Sequence, residues 1–254
     1  MSRSQALIVR APGTNCDLEL AHGFEAAGAQ PVLVHLDALI ADPSPLDRAG
    51  LIGFPGGFSY GDDLAAGRVF ADRVRRFLMA PLRAAVGRGV PIIGVCNGFQ
   101  VLVKAGLLPD PEAQGQSVTL SLNTSGRFVD RWVGVEPVAE SRCIWMRGLE
   151  QGFELPIAHG EGRLALDAGL LSSLEAGGQV ALRYSEDVNG SAGRVAGLCD
   201  PSGLVLGLMP HPERWIDTLQ HPRWTRQSED FLRRTPEGLL MLKNAVEHSA
   251  LVRA

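Results

Sequence analysis

Over its first hundred residues the chain alternates short apolar runs with longer amphipathic stretches, and few folds accept that rhythm. QALIVRAP reads as a buried strand, and DLELAHGFEAAGA as an amphipathic helix closed by Gly28. PVLVHL gives a second strand, and AGLIGFPGG a third apolar run ending in Pro-Gly-Gly. FADRVRRFLMAPLRAAVGRG follows as one helix, with Val74, Phe77, Leu78 and Leu82 at helical spacing, and VPIIGV is the fourth strand. Continuous apolar strands separated by helices predict right-handed βαβ units, that is, a parallel sheet with helices on both faces.

From about residue 115 the rhythm changes. SVTLSLN, RFVDRWVGVEP, LPIAHGEGRLAL, QVALRYS, GRVAGLCD and LVLGLMP are short strand-like runs between glycine and asparagine turns. They predict antiparallel strands that extend or flank the sheet. The tail TPEGLLMLKNAVEHSALV carries an apolar helical stripe that packs back on the sheet. No repeat, low-complexity tract or linker intervenes, so the sequence predicts one α/β domain over residues 1–254, mostly parallel with an added antiparallel portion.

With 45% hydrophobic and 20% charged residues, the chain can bury a sizeable core. A net charge of −4 leaves no electrostatic footprint for nucleic acid or an acidic membrane. The apolar run near the N-terminus is too short for a signal peptide, and no stretch is long enough to span a bilayer. Cys16, Cys96, Cys143 and Cys199 are widely spaced without a CxxC pair, which argues against a disulfide framework or a zinc site. A reducing cytoplasm and no metal are the expectations.

Gly94-Val95-Cys96-Asn97-Gly98 has the G-x-nucleophile-x-G form of a nucleophile elbow, a sharp turn from strand to helix. Its geometry needs small residues two positions either side of the nucleophile, and glycine stands at both. The Cys96 sulfur would project from the carboxyl edge of the sheet, with the Asn97 N–H aimed at an oxyanion beside it. The helix N-terminus would favour thiolate over thiol. The competing reading of Cys96 is a small hydrophobe at a strand end. Cys143 and Cys199 lie in apolar runs and read as core, whereas Cys16, in GTNCDLE, sits in a strand-to-helix loop.

A thiolate needs a base, and the base needs an orienter. His22 and His35 read as structural and His248 as solvated, leaving His159, His211 and His221. His211, in MPHPER, follows an apolar run and precedes Glu213 by two residues. In extended backbone such residues share a side, so Glu213 is placed to hold the imidazole in one tautomer. Pro210 and Pro212 favour that extended backbone. Taken with the elbow, this predicts a Cys96–His211–Glu213 triad. Gly57, in the Pro-Gly-Gly turn, is the candidate for the second oxyanion donor, because glycine lets a backbone N–H approach closely; an ordinary turn is the competing reading.

Elbow cysteine, Gly-Gly loop and terminal His-x-Glu together resemble the class I glutamine amidotransferases. The words APGTNCDLE, FPGGFSYGDDLAAG, GVCNGFQVLVKAGLLP, LNTSGRFVDRWV, PIAHGEGR and DVNGSAGRVAGLCDPSGLVLGLMPHPER resemble, more narrowly, the glutaminase-subunit family of phosphoribosylformylglycinamidine synthase. The resemblance runs from about residue 5 to the C-terminal helix and implies a flavodoxin-like sheet. It implies that Cys96 attacks the amide of L-glutamine, giving a thioester and ammonia through an oxyanion held by Gly57 and Asn97. His211, oriented by Glu213, would protonate the leaving ammonia and then activate water. Gln100 resembles a position that contacts glutamine. Ser125, Gly126, Arg127 and Phe128 resemble the segment that receives its α-amino and carboxylate groups. Phe58 resembles a pocket wall, and His159 and Glu161 fit a family motif near the partner side.

The family's reaction uses ATP to convert formylglycinamide ribonucleotide to the amidine in purine biosynthesis. The chain has no GxxxxGK[ST] loop. The resemblance therefore implies that ATP and Mg are used by a large synthetase subunit, joined in many systems by a small bridging subunit, with no cofactor in this chain. Residues 214–236 depart from shorter family forms. Trp215 and Trp224, with the arginines around them, read either as an interface patch or as a surface loop. Two other functions compete: a cysteine hydrolase acting on another substrate, and a non-catalytic module kept for assembly.

Overall fold

The computed structural model describes residues 3–112 and 116–252; the outermost residues of the predicted 1–254 domain lie outside them. The strands are β1 (Gln5–Arg10), β2 (Gln30–His35), β3 (Leu51–Phe54), β4 (Ile92–Val95), β5 (Thr119–Ser121), β6 (Val129–Pro137), β7 (Phe153–His159), β8 (Arg163–Ala165), β9 (Val180–Tyr184), β10 (Val195–Cys199) and β11 (Val205–Leu208). The helices are α1 (Asp17–Ala26), α2 (Leu36–Ala41), α3 (Pro45–Arg48), α4 (Arg68–Phe77), α5 (Met79–Gly87), α6 (Asn97–Ala105), α7 (Ala168–Ala176), α8 (Glu229–Arg233) and α9 (Glu237–Val252).

Nine strands form one sheet in the order β2-β1-β3-β4-β11-β10-β9-β6-β7, and β5 pairs with β8 separately. β2, β1, β3, β4 and β11 are parallel, and the remaining four strands of the large sheet continue it antiparallel. The predicted fold class holds, with one refinement. β11, the last strand in sequence, is the junction: it pairs parallel with β4 on one side and antiparallel with β10 on the other.

Two adjacent residues of β3 show how the sheet is covered, since neighbours on a strand face opposite sides. A side chain at Gly53 would meet Leu20 and Phe24 of α1. Phe54 instead meets Gly98 of α6 and stacks on Phe70 of α4 at 5.9 Å. So α1 covers one face, with Leu242 of α9 against its Gly23, and α6 and α4 cover the other. The parallel strands β3, β4 and β11 are buried throughout, as strands covered on both faces must be.

The predicted single helix before β4 is two helices, broken at Leu78 with φ −119° and ψ −3°. Pro81 supplies no N–H, and its ring clashes with the carbonyl four residues back, at Phe77, where α4 ends. Phe77, expected on the buried stripe, is consequently more than half exposed, whereas Val74, Leu78 and Leu82 are buried.

Candidate active site

β4 and β11 lie in register, Val95 opposite Leu208, and the Cys96 N–H donates to the Leu208 carbonyl at 2.8 Å. The turns that follow the two strands, and the one following β3, therefore leave the sheet at one carboxyl edge, the edge at which open α/β sheets bind ligands. Cys96 occupies that edge with φ +50° and ψ −105°, a backbone conformation L residues rarely adopt. The elbow glycines make it possible. A side chain at Gly98 would begin 1.9 Å from the Phe54 carbonyl oxygen, and one at Gly94 would begin 2.7 Å from the Gly98 backbone.

The His211 N–H donates to the Pro156 carbonyl at 2.9 Å, and its Nδ1 lies 2.6 Å from Glu213 Oε1. Both residues are buried, at 1% and 2% exposure. The pairing expected from spacing exists, but its cause differs. Only His211 is extended; Pro212–Arg214 form a 3-10 turn that swings the carboxylate back beneath the imidazole. Burial pulls the His211 pKa down, but the Glu213 charge and the Cys96 sulfur outweigh it and raise the pKa to about 10. β7 passes over the same edge, and its Ala158 carbonyl lies 3.6 Å from Cys96 Sγ.

Gly57 has φ +135°, and its bridge to Thr14 is flanked by bonds from Phe58 N–H to Gly13 and from Cys16 N–H to Gly56. That pattern leaves the Gly57 N–H with no acceptor among the described residues. The Asn97 side chain is fixed on both ends. Its Oδ1 accepts from Ser59 Oγ at 2.6 Å, and its Nδ2 donates to Asp62 and to Gln100 Oε1. Gln100 is buried and donates to the Glu161 carbonyl. Asp62, raised in pKa chiefly by burial, closes a loop strained by positive φ at Tyr60 and Asp62.

Ser125, Gly126, Arg127 and Phe128 form an exposed turn pinned by Asn123, whose Nδ2 donates to the Arg127 and His159 carbonyls. Phe128 meets Phe58 at 6.3 Å between ring centroids, and both rings are about half exposed. His159 is buried with Nδ1 on Asn123 Oδ1, and burial together with the nearby His211 lowers its pKa to about 4. Glu161 Oε2 accepts from the Ala66 N–H.

Other expectations change. His22 is exposed rather than structural, while His35 caps α2 by accepting from the Asp37 N–H. His248, expected in solvent, is half-buried. His221 is buried, lies 3.1 Å from Glu154, and stacks among Trp132, Trp215 and Phe231 away from the sulfur. Trp215 is core at 1% exposure, which removes it from any interface patch; Trp224 is 41% exposed.

Two residues at the site carry no assigned role in the sequence reading. A side chain at Gly56 would begin 2.9 Å from His211 Cε1, so that position must be bare for the imidazole to sit beside Cys96. Cys16 is buried there too, accepting from Arg214 Nη2 at 3.3 Å, while Arg214 Nε donates to Glu19 at 2.8 Å. Among the described residues Cys16, Glu19 and His211 form the one group whose donor atoms lie within 4.8 Å of one another, as a metal would need. The Arg214 guanidinium already supplies a cation to the first two. Position 56 was recognisable only as part of Pro-Gly-Gly, and Cys16 only as a cysteine in a loop.

Residues 3–249 match the family model of the CobB/CobQ-like glutamine amidotransferase domain. The phosphoribosylformylglycinamidine synthase subunit PurQ of Dehalococcoides mccartyi is 42% identical, over 97% of this chain and 98% of that one. Its counterpart in Methanococcus maripaludis is 36% identical over 96% and 97%. A chain in the structure of PurLQS from Thermotoga maritima superposes with a TM-score of 0.76 at 34% identity, covering 97% and 99%. With that family's fold and near-complete length in common, the chain belongs to the PurQ family, the glutamine amidotransferase subunits of phosphoribosylformylglycinamidine synthase.

Proposed function

We propose that the chain, acting as one domain, hydrolyses L-glutamine with Cys96 as nucleophile, His211 as general acid and base, and Glu213 as its orienter. The observation that carries this is the buried 2.6 Å His211–Glu213 pair held beside a strained, glycine-flanked Cys96. Cys96 Sγ, set beside the charged imidazole, attacks the amide carbon as the thiolate. The tetrahedral oxyanion is then held by the Gly57 and Asn97 N–H groups, and His211 gives its proton to the departing ammonia. Water, deprotonated by His211, releases glutamate from the thioester.

Phe58 and Phe128 wall the pocket, Gln100 sets its floor through Glu161, and Ser125, Gly126 and Arg127 receive the α-amino and carboxylate groups. The ammonia passes to a PurL-type synthetase subunit, with a PurS-type bridging subunit completing the assembly. That partner uses ATP and Mg, and this chain needs neither. A cytoplasmic place fits four free cysteines and the lack, among the described residues, of any helix long and apolar enough to cross a membrane.

The test is amidine formation by the chain with its synthetase, supplied with glutamine and then with ammonium. Cys96→Ala abolishes the first and spares the second. Retention of glutamine-dependent synthesis by Cys96→Ala rules the assignment out.

A further inference from the structure

Two of the four free cysteines meet at the site, and the hydrolysis needs only one. Cys16 Sγ lies 3.3 Å, Cys96 Cβ 3.5 Å and His211 Cε1 2.9 Å from the point where a side chain at Gly56 would begin. The bare glycine leaves a space that both cysteines and the imidazole share. Cys16 is held toward it. Its sulfur is bound by Arg214, which Glu19 fixes in turn, and lies 3.4 Å from Asn15 Oδ1. At 4% exposure it is shielded from large reagents, but not from a small one admitted to the site.

We infer that Cys16 and Cys96 form a peroxide-modification site, in which oxidation of Cys96 is trapped as a Cys16–Cys96 disulfide. The inference rests on Cys96 being the reactive thiolate. In the first step that thiolate attacks one oxygen of hydrogen peroxide. The S–O bond forms and the O–O bond breaks. The sulfur is oxidised to a sulfenic acid, and the hydroxide set free takes a proton from His211 to leave as water. In the second step the Cys16 sulfur attacks the Cys96 sulfur. The S–S bond forms and the S–O bond breaks. The hydroxyl leaves as water with the proton given up by the Cys16 thiol. Two thiols and one peroxide thus give one disulfide and two waters.

The environments fix the order of these steps. Burial, with the Glu213 and Glu19 charges, pushes the Cys16 thiol up to about 12, so it stays protonated while Cys96 faces a cationic imidazole. Only a thiolate reacts readily with peroxide, so Cys96 is oxidised first. Arg214 then steadies the Cys16 sulfur as its proton leaves. A sulfenic acid that finds a thiol is recoverable, whereas one that does not proceeds to irreversible sulfinic acid. Cys143 and Cys199, at 3% and 0% exposure in the core, are not available for this role.

The test treats the chain in complex with its synthetase with hydrogen peroxide, then alkylates free thiols and maps peptides by mass. We expect a peptide pair joining Cys16 to Cys96, lighter by two hydrogens than its parts. Glutamine-dependent synthesis is lost, ammonia-dependent synthesis persists, and a thiol reductant restores the first. In Cys16→Ser, and in Cys16→Ala as a second variant, peroxide takes Cys96 to the sulfinic acid and reductant restores little. A wild-type chain carrying Cys96 sulfinic acid without the joined peptide, a bridge to Cys143 or Cys199, or equal recovery in wild type and both variants overturns the inference. The joined peptide is read by mass without any activity. Failure of the hydrolysis reading shows separately, as glutamine-dependent synthesis retained by Cys96→Ala.

Discussion

Glu213 Oε1 lies 2.6 Å from His211 Nδ1 where both residues are buried from bulk solvent, so the carboxylate sets both the ring's tautomer and its charge. Glu213→Gln keeps the shape and removes the charge, and kcat should fall by about 10²- to 10⁴-fold with little change in KM. The same substitution has a signed effect on stability. The folded pKa of His211, about 10, stands above the ordinary 6.5, so its contribution is fully present below pH 6.5 and lost as pH rises through about 10. The stability gap between wild type and Glu213→Gln, measured by urea unfolding, should therefore narrow between those values. Gly56→Ala is the complementary case. Its methyl would sit 2.9 Å from His211 Cε1, displacing a ring that Glu213 holds, and kcat should drop about 10²-fold while the fold survives. Kinetics alongside a melting curve check both halves of that statement. The contrast between positions 56 and 98 shows what sequence exposes. Gly98 belongs to a local turn rule and was legible in five residues. Gly56 matters because the ends of β3, β4 and β11 and the loop after β1 converge on it, and no local pattern encodes that convergence.

At the scale of elements, residues 214–236 are an aromatic brace. Trp215 meets Trp132 of β6 at 5.5 Å, His221 at 5.5 Å and Phe231 of α8 at 6.0 Å, and its Nε1 donates to Glu237 at the start of α9. Arg234 lies over the Phe231 ring, and Arg223 and His221 both reach Glu154 of β7. The segment thus ties α9 to the antiparallel end of the sheet. Trp215→Ala should cost about 3–5 kcal/mol, and Trp224→Ala about 0.5 kcal/mol or less, because only the first leaves a cavity. Urea unfolding of the two variants separates them. In sequence the two tryptophans were indistinguishable, since each stands in a polar, proline-bearing stretch. The central strands β3, β4 and β11 were legible for the opposite reason, because burial on both faces writes itself as an unbroken apolar run. Their order was less so. Nothing in LVLGLMP says that it inserts beside β4, yet that pairing is what sets His211 next to Cys96. The break before α5 was readable in principle from Pro81, but a helical apolar stripe masked it.

For the molecule as a whole, the proposed division of labour makes a demand on the surface around the site. Ammonia released into water at neutral pH is mostly protonated and loses its nucleophilicity, so the mouth must be covered when the amide breaks. Apolar side chains stand exposed around that mouth, among charged ones such as Arg68, Lys104 and Arg163. Phe58 and Phe128 stack across it at about half exposure. Leu64 and Leu122, 69% and 62% exposed, line a single cavity with Glu161, whose carbonyl holds Gln100. Exposed apolar groups clustered in this way mark a contact surface. Leu64 and Leu122 lie outside the triad and the glutamine pocket, so charging them separates docking from chemistry. The double substitution L64E/L122E should weaken association with the synthetase by about tenfold or more, as loss of anchors at an interface does. Glutamine hydrolysis by the isolated chain should stay at its wild-type rate, which we expect to be slow. Synthetase added to wild type should accelerate glutamine turnover, and the double variant should need correspondingly more synthetase to reach the same rate. Titration of glutaminase activity with synthetase measures both quantities at once. Superimposable curves for the two chains would show that the partner covers the site from some other face.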